Sequence, residues 1–166
     1  MELEILKADI FDVEVEAIVY PGVTNGELTD SYGKRLRKLV GEELEAVCRD
    51  TAPIAVGAAT VIPISGLKAA QVIYAPLISE LGEKVIVENV RRCTRASLVA
   101  ACVRKLPSIA LPVIRPNSED MSITETARAM LDELRGFKPE HALRVVLADR
   151  KAPVVEALMR TLDSVR

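Results

Sequence analysis

The sequence predicts an α/β fold, a three-layer α/β/α sandwich around a mixed, mostly parallel sheet. Short apolar runs alternate along the chain with longer segments whose apolar residues recur at helical spacing. Near the middle, two strand-like runs follow each other directly, joined by SGLKAA, a stretch typical of a hairpin or tight turn. No repeat, low-complexity segment or linker interrupts the 166 residues, so we expect a single domain over residues 1–166.

The first predicted elements are two strands and a helix. Residues 3–10 have the composition of a strand, and residues 16–21 contain the apolar run AIV, which suits a strand covered on both faces. Asp30 or Ser31 is expected to cap a helix over residues 32–50, where leucines and valines recur at helical spacing. Two glycines inside that segment lower its helix propensity.

The middle of the chain is predicted to contain a strand pair, a long helix and a buried strand. Residues 55–64 and 71–77 form the strand pair, and one helical stripe of apolar residues runs through residues 85–105. Residues 108–114 are β-branched and lie between Pro107 and the turn signal RPNS, which predicts a buried strand.

The last third of the chain predicts a helix, a strand and a final helix. Residues 123–134 form the first helix, because Ser122 and Glu125 have the spacing of a capping box. Residues 142–148 form the last strand, and Pro153 opens the last helix as an N1 proline.

Composition and charge exclude several functional classes. The net charge is −2 with basic and acidic residues interleaved, whereas a general nucleic-acid binder has a dominant basic surface. Only two Phe and three Tyr are available as stacking platforms for bases. No run approaches the roughly 18 apolar residues of a membrane span, and the acidic N-terminus does not resemble a secretory signal. We therefore expect neither general nucleic-acid binding nor membrane insertion.

The cysteines and the single histidine limit the metal and redox chemistry. Cys48, Cys93 and Cys102 match no metal-ligand spacing. If residues 85–105 are helical, Cys93 and Cys102 lie on opposite faces and cannot pair. Three free thiols predict a cytoplasmic location. Because His141 is the only histidine, dyads that depend on histidine and metal sites rich in histidine are excluded; we expect no metal and no cofactor.

The segment AIVYPGVTNGELTDSYG at residues 17–33 is where the sequence suggests a ligand site. A buried strand ends here in a turn, and open α/β sheets bind ligands beyond the carboxyl ends of their strands. Tyr20 has two interpretations: it stacks on a base or ribose, or it fills the pocket. Asn25 precedes glycine and is typical of a turn residue. Asp9, at the end of the first strand, either contacts a ligand amine or hydrogen-bonds a turn.

Three stretches, taken with the order of elements, resemble one family, the macro domain, which binds ADP-ribose. ADIFDVEVEAIVYPG is similar to the family's opening, an Asp-Ile pair followed by a strand that ends in an Asn-Ala-Ala-Asn loop. QVIYAPL resembles its central strand, and SIALPVI, with the helix that begins near Ser122, resembles the strand before its second phosphate loop. The likeness spans almost the whole chain and implies an ADP-ribose site.

The resemblance carries over to individual residues unevenly. It implies that Asp9 is the adenine-contacting aspartate and that Ile10 supplies the neighbouring backbone amide. The Asn-Ala-Ala-Asn segment falls on YPGV at residues 20–23, so Gly22 lies in that loop while both asparagines are absent. Asn25 lies two residues late and could substitute only after a loop shift. The second phosphate loop falls on residues 115–120, which contain Arg115 and Asn117 but no glycine.

These departures disfavour a diphosphate held in the family's manner. Such a ligand is held by converging backbone N–H groups, and Pro21 and Pro116 have none. Each carboxylate roughly 5 Å from a phosphate costs on the order of 3 kcal/mol at an effective dielectric constant near 20. Arg115 can offset one such pair. The carboxylates expected there are Glu27, Asp30, Glu119 and Asp120.

The sequence therefore leads to one hypothesis and two alternatives. The hypothesis is a divergent macro-like domain that binds a nucleotide-type ligand, ADP-ribose or a relative, weakly or in an altered mode. One alternative is a closed pocket in a protein that acts by association, including as a homodimer; the other is a hydrolase that uses Glu27 or Asp30. No catalytic motif is present, so we expect no enzymatic activity. The expected ligand-binding residues are Asp9, Ile10, Tyr20, Gly22, Asn25, Arg115 and Asn117.

Two structural outcomes distinguish the hypothesis from the first alternative. A ligand-binding domain should keep an open cleft between the loops at residues 20–26 and 115–121. A closed pocket should bury Tyr20 and Val23 there, and should leave an apolar surface elsewhere.

Overall fold

The computed structural model describes residues 1–165, and within that part of the chain six strands and five α-helices form an α/β fold. The predicted class and the predicted mixed, mostly parallel sheet are confirmed. The strands are β1 (Glu2–Lys7), β2 (Ala17–Tyr20), β3 (Thr60–Pro63), β4 (Gln71–Tyr74), β5 (Ser108–Pro112) and β6 (Arg144–Asp149). The helices are α1 (Ser31–Val40), α2 (Glu43–Thr51), α3 (Val87–Val103), α4 (Ile123–Gly136) and α5 (Ala152–Ser164).

The sheet has the order β1-β6-β5-β2-β4-β3. Every neighbouring pair is parallel except β3 and β4, which are antiparallel. The carboxyl ends of β1, β6, β5, β2 and β4 consequently lie at one edge of the molecule, where open α/β sheets bind ligands. A short 3₁₀ helix, Ile10–Asp12, follows β1 at this edge.

Two apolar layers, one on each face of the sheet, hold the fold together. Alternate residues of β2 supply both layers: Val19 packs with the side chains of α3, α4 and α5, and Ile18 packs with those of α1 and α2. All four β2 residues are buried, which explains why its sequence is a continuous apolar run.

The predicted helix over residues 32–50 is wrong in one respect, because the structure has two helices there. Gly41 ends α1 with φ of 85°, a left-handed conformation that glycine adopts without a steric cost, and α2 starts at Glu43. The predicted strand over residues 55–64 is also shorter: β3 begins at Thr60, after Gly57, whose φ is 103°. Helix α5 begins at Ala152, one residue before Pro153.

The predicted caps agree with the structure. The side chain of Asp30 accepts a hydrogen bond from the Gly33 N–H at the start of α1. Ser122 and Glu125 form the reciprocal bonds of a capping box at the start of α4.

The described residues limit some functional classes. Among residues 1–165, no helix has the length and apolar character needed to cross a membrane. Over the same residues, no group of three or more His, Cys, Asp or Glu side chains is arranged to hold a metal ion. Cys48, Cys93 and Cys102 are all free thiols, and burial raises the pKa of Cys93 to about 12, which keeps it protonated.

Candidate ligand-binding site

A cleft of about 210 Å³ lies at the carboxyl ends of β1, β5 and β6. We call it the Asp9 cleft. The start of α1 and the 3₁₀ helix close its other sides, so main-chain segments from distant parts of the sequence meet there. Its polar and aromatic lining consists of Asp9, Ser31, Tyr32, Arg35, Arg115, Asp149 and Arg150.

Asp9 is held by hydrogen bonds on both of its carboxylate oxygens. As the N-cap of the 3₁₀ helix it accepts from the Phe11 N–H at 3.1 Å through Oδ1. Its Oδ2 forms an ion pair with Arg35, whose guanidinium also lies 4.7 Å from the centre of the Phe11 ring. Partial burial opposes ionisation, but the bonds from Arg35 and Phe11 outweigh it and lower the pKa of Asp9. The carboxylate is therefore charged and fixed in orientation.

Arg115 and Asp149 form the second charged pair of the cleft. Nε and Nη2 of Arg115 donate to the two carboxylate oxygens at 2.9 and 2.6 Å, a bidentate geometry. Asp149, at the end of β6, is almost completely buried and also accepts from the Lys151 N–H at 2.8 Å. This pair fixes the guanidinium of Arg115 through Nε and Nη2, and Nη1 takes no part in the bonds to Asp149.

The charges that line the cleft favour an anion. Three arginines (Arg35, Arg115 and Arg150) face two aspartates (Asp9 and Asp149), which leaves one positive charge in excess. Arg35 and Arg115 are paired with the aspartates. Arg150 is exposed and has no ion-pair partner among residues 1–165, and its charge adds to the forces that lower the pKa of Asp9. Arg150 is therefore the cation available to a ligand.

Aromatic side chains fill the space beside the cleft, beyond the end of β2. The Tyr20 ring lies 5.3 Å from that of Tyr32 and 6.1 Å from that of Tyr74, and Tyr32 lies 5.3 Å from Phe11. Tyr20 is 1% exposed, and its hydroxyl donates to Asp30 at 2.7 Å. Burial and the nearby Asp30 carboxylate raise the pKa of Tyr20. The Tyr20 ring is therefore packed among side chains, and its hydroxyl is hydrogen-bonded within the protein.

Gly22 makes this aromatic packing possible. A Cβ atom at this position would lie 2.6 Å from Cε1 of Tyr20 and 2.8 Å from Cε2 of Tyr74, closer than any real contact. The Gly22 N–H donates to the Ala75 carbonyl at 3.3 Å, which holds the turn against the end of β4. Gly22 thus serves the packing of two tyrosines.

The loop between β2 and α1 is fixed inward at two further points. The Tyr74 hydroxyl donates to the Val23 carbonyl and accepts from the Gly26 N–H at 3.0 Å. The Leu28 N–H donates to Oε2 of the buried Glu45 at 2.9 Å. Val23 and Leu28 are buried, so the loop packs against the end of β2.

The two asparagines expected at the site have structural roles. Oδ1 of Asn25 accepts from the Glu27 N–H at 3.0 Å, the bond of an exposed turn. Oδ1 of Asn117 accepts from the Val85 N–H, and its amide donates to the Glu83 carbonyl, both at 2.8 Å. Asn117 therefore attaches the loop after β5 to the segment before α3.

Of the seven residues expected to bind a ligand, the structure brings three together in the Asp9 cleft: Asp9, Ile10 and Arg115. The other four lie outside its lining: Tyr20, Gly22, Asn25 and Asn117. The carboxylates expected to oppose a phosphate are partly engaged elsewhere. Asp30 accepts from Tyr20 and from the Gly33 N–H, and Asp120 pairs with Lys84.

Sequence reasoning missed the three other charged residues of the cleft. Arg35 belongs to the run KRLRK, which is typical of a solvated helix face, and only the fold brings it to Asp9. Asp149 is the last residue of β6, and Arg150 follows it. Their position was a usable signal, because polar residues at the carboxyl end of a strand face the ligand edge of the sheet.

Comparisons with known proteins agree on one family. The sequence profile of the Macro domain family matches residues 24–130. An uncharacterized protein of Aquifex aeolicus is 32% identical over 162 residues, which cover 98% of this chain and 98% of that protein. An uncharacterized protein of Mycobacterium tuberculosis is 28% identical over 89% of this chain, which corresponds to 41% of that longer protein.

Solved structures show the same fold. A macrodomain of Oceanobacillus iheyensis with ADP has a TM-score of 0.83 at 19% identity, covering 98% of this chain and 90% of that one. A macrodomain of Trypanosoma brucei in complex with ADP-ribose has a TM-score of 0.82 at 19% identity, covering 97% of this chain and 69% of that one.

Proposed function

This chain belongs to the macro domain family, and on that basis we propose that it binds a nucleotide-type ligand in an altered mode, through the Asp9 cleft alone. The observation that carries the proposal is the joint presence of an open, positively charged cleft at Asp9 and a filled space beyond β2. The adenosine and its nearest phosphate bind in the cleft, and the distal ribose of ADP-ribose has no pocket.

The size of the cleft supports a partial site. Pockets that enclose a drug-sized ligand have volumes of roughly 300–1,000 Å³. The Asp9 cleft measures about 210 Å³. A base with part of its sugar phosphate fits this volume better than a complete ADP-ribose does, so we expect low affinity and little difference between AMP, ADP and ADP-ribose.

The chemistry of the lining supports the same ligand class. Structures similar in fold were solved with ADP and with ADP-ribose, whose adenine amine and phosphates need an acceptor and a cation. Asp9 supplies a fixed carboxylate, and Nη1 of Arg115 and the side chain of Arg150 supply donors with positive charge. Phosphate contacts of this kind are charge-assisted and account for much of the affinity of a small site.

Calorimetric titration with AMP, ADP and ADP-ribose tests the proposal. Arg150→Ala should weaken binding of all three ligands by about tenfold, or about 1.4 kcal/mol. Lys151→Ala is the matched control, because it removes the same charge from the neighbouring residue, which does not line the cleft. Asp9→Asn should weaken binding as well, since an amide presents only one acceptor oxygen. No heat at millimolar ligand, or equal effects of Arg150→Ala and Lys151→Ala, would contradict it.

A second candidate function is protein association with the nucleotide pocket closed. The burial of Tyr20 and Val23 favours it, since this was the expected mark of a closed pocket. Light scattering on the purified chain tests the homodimer form of this candidate. If the chain is a monomer at all concentrations and binds nucleotide measurably, the homodimer form is excluded and the first proposal stands.

Catalysis, location and domain organisation complete the proposal. We infer that Asp30 does not activate water, because its Oδ1 already accepts from Tyr20 and Gly33 while it caps α1. We propose a cytoplasmic location, on the basis of the three free thiols, and a single domain over residues 1–166. A hydrolase assay on ADP-ribosylated protein should give no product above background.

A further inference from the structure

An apolar groove lies far from the Asp9 cleft, between the outer strand β3 and helix α3. We call it the β3–α3 groove; its volume is about 450 Å³. Its floor contains Ala59, Val61, Ala96, Val99 and Val103. Val99 is 44% exposed and Val103 is 73% exposed, although both project from a helix whose other face is deeply buried. Val99 and Val103 lie one helical turn apart and form an exposed apolar strip along the groove.

The groove borders an unpaired edge of the sheet. Strand β3 pairs only with β4, and the Ile64 N–H donates to the Ala70 carbonyl in the same antiparallel register. Hydrogen-bonded pairs alternate in such a ladder, so Ile62 bonds to β4 while the N–H and C=O of Val61 face the open edge. Pro63 has no N–H and blocks the far end of the edge. The edge is therefore open for pairing beside Val61, where it meets the groove.

The charges around the groove are basic. Arg92, Arg95 and Arg104 line it, and no Asp or Glu does. Arg92 pairs with Glu88 at 3.4 Å and Arg95 with Glu133 at 3.7 Å, both loosely and with more than half of each arginine side chain exposed. Arg104 is exposed and has no ion-pair partner within residues 1–165. Three exposed cations along one wall of the groove therefore favour an acidic partner.

We propose that the β3–α3 groove binds an extended acidic segment of a partner protein, which adds as a strand to the edge of β3. The main chain of the segment pairs with Val61, while alternate side chains point toward Val99 and Val103, as in recognition by strand addition. Acidic side chains near the two ends of the segment point to the same face and meet the three arginines, which belong to α3 or its C-cap, as Val99 and Val103 belong to α3. A second copy of this chain fits less well, because a symmetric interface would bring six arginines together, and facing like charges cost several kcal/mol.

A designed peptide tests this inference independently of the nucleotide site. The probe is a fluorescein-labelled seven-residue peptide with glutamate at positions 1 and 7, valine at positions 3 and 5 and threonine at the even positions, so that the glutamates and the valines both face α3. It is titrated with the full chain and followed by fluorescence anisotropy. We expect saturable binding that weakens as salt increases. Arg104→Glu should reduce the affinity by about tenfold or more, while Arg128→Glu on the exposed face of α4, which makes the same charge change outside the groove, should leave it unchanged.

Two further peptides distinguish strand addition from non-specific electrostatic or hydrophobic binding. The same peptide with methylated backbone nitrogens should not bind, because it cannot donate to the edge of β3. The same peptide with lysine in place of both glutamates should not bind either. The inference is overturned if the glutamate peptide gives no signal at millimolar protein, if either control peptide binds equally well, or if Arg104→Glu has no effect. It is also overturned if light scattering shows a dimer that Val103→Glu dissociates, since the groove is then a self-interface.

Discussion

At the scale of single residues, Gly22 leaves room for two tyrosine rings to pack together at the end of β2. An added Cβ meets ring carbons of Tyr20 and Tyr74 at 2.6 and 2.8 Å, and both rings are held by hydroxyl hydrogen bonds. Gly22→Ala should therefore lower the free energy of unfolding by about 1–3 kcal/mol, the usual cost of overpacking. Urea unfolding of the variant measures this change.

A double-mutant cycle with Tyr20→Leu checks the cause of that loss. Leucine removes the ring atom nearest to the new methyl group, so the cost of Gly22→Ala should be smaller in the Tyr20→Leu background. An equal cost in both backgrounds would show that the Tyr74 ring, and not the Tyr20 ring, excludes the added methyl group.

A second prediction at this scale concerns the acid dependence of stability. The folded pKa of Asp9 is lower than its unfolded value, so the charged carboxylate stabilises the fold above the unfolded pKa near 4. That contribution, about 1 kcal/mol or less for a partly exposed pair, is lost as the pH falls through the folded pKa. Asp9→Asn should thus be less stable than the wild type at neutral pH and should converge with it below pH ~4.

Thermal unfolding of the wild type and of Asp9→Asn, at pH values from neutral to acidic, measures this convergence. Asp12→Asn is the control, because it removes the same charge from an exposed side chain of the same 3₁₀ helix. If the stability difference between the wild type and Asp9→Asn persists at low pH, the contribution comes from the cap geometry and not from the ion pair.

The sequence identified part of the site at the residue scale. Asp9, Ile10 and Arg115 could be predicted from the resemblance to the macro domain, which places the first two at its Asp-Ile pair and Arg115 in its second phosphate loop. Arg35 could not, since a basic run on an amphipathic helix is usually solvent-exposed, and its contact with Asp9 spans 26 positions of the chain. Tyr20 had two interpretations because a tyrosine at a strand end looks the same in sequence whether it faces a ligand or replaces one.

At the scale of elements, Glu45 connects helix α2 to the loop that fills the site. It is buried on α2, accepts from the Leu28 N–H, and pairs with Arg37 and Arg49 at 3.4 and 3.3 Å. Glu45→Ala should destabilise the protein by about 1–3 kcal/mol, since the buried Leu28 N–H loses its acceptor. Glu45→Gln keeps a carbonyl acceptor and should cost less.

Limited proteolysis distinguishes a local from a global effect of these substitutions. If Glu45 fixes the loop, Glu45→Ala should increase cleavage within residues 21–30 under conditions where the rest of the fold stays intact. Unchanged cleavage there would mean that the tyrosines alone hold the loop inward.

The boundaries of the elements show which sequence signals were sufficient. The capping box at Ser122 correctly predicted the start of α4, because both partners of that bond lie within one turn. The break at Gly41 was not predicted: glycine within a helical pattern lowers helix propensity slightly, whether or not the helix ends there. The start of β3 was predicted too early, because residues 55–59 are apolar enough for a strand but lack a strand to pair with.

At the scale of the whole molecule, the carboxyl edge of the sheet has two different halves. Beyond β1, β5 and β6 the Asp9 cleft is open, and beyond β2 and β4 the tyrosines and the inward loop fill the space. The sequence predicted this edge as the ligand edge from the alternation of strands and helices. It could not predict which half is closed, since that depends on how Tyr20, Tyr74 and Leu28 pack together across three separate segments.

This asymmetry predicts where a nucleotide changes the dynamics of the protein. AMP and ADP-ribose at saturating concentration should both slow amide hydrogen exchange at residues 9–11 and 113–115, which border the cleft. Residues 21–28 should exchange equally with and without ligand, because Val23 and Leu28 are already buried and hydrogen-bonded through Tyr74 and Glu45. Mass-spectrometric exchange on the wild type, with Arg150→Ala as the variant that should lose the protection, makes the measurement. Protection of residues 21–28 by ADP-ribose but not by AMP would mean that the loop opens to admit the distal ribose, and the proposed restriction of binding to the Asp9 cleft would then be wrong.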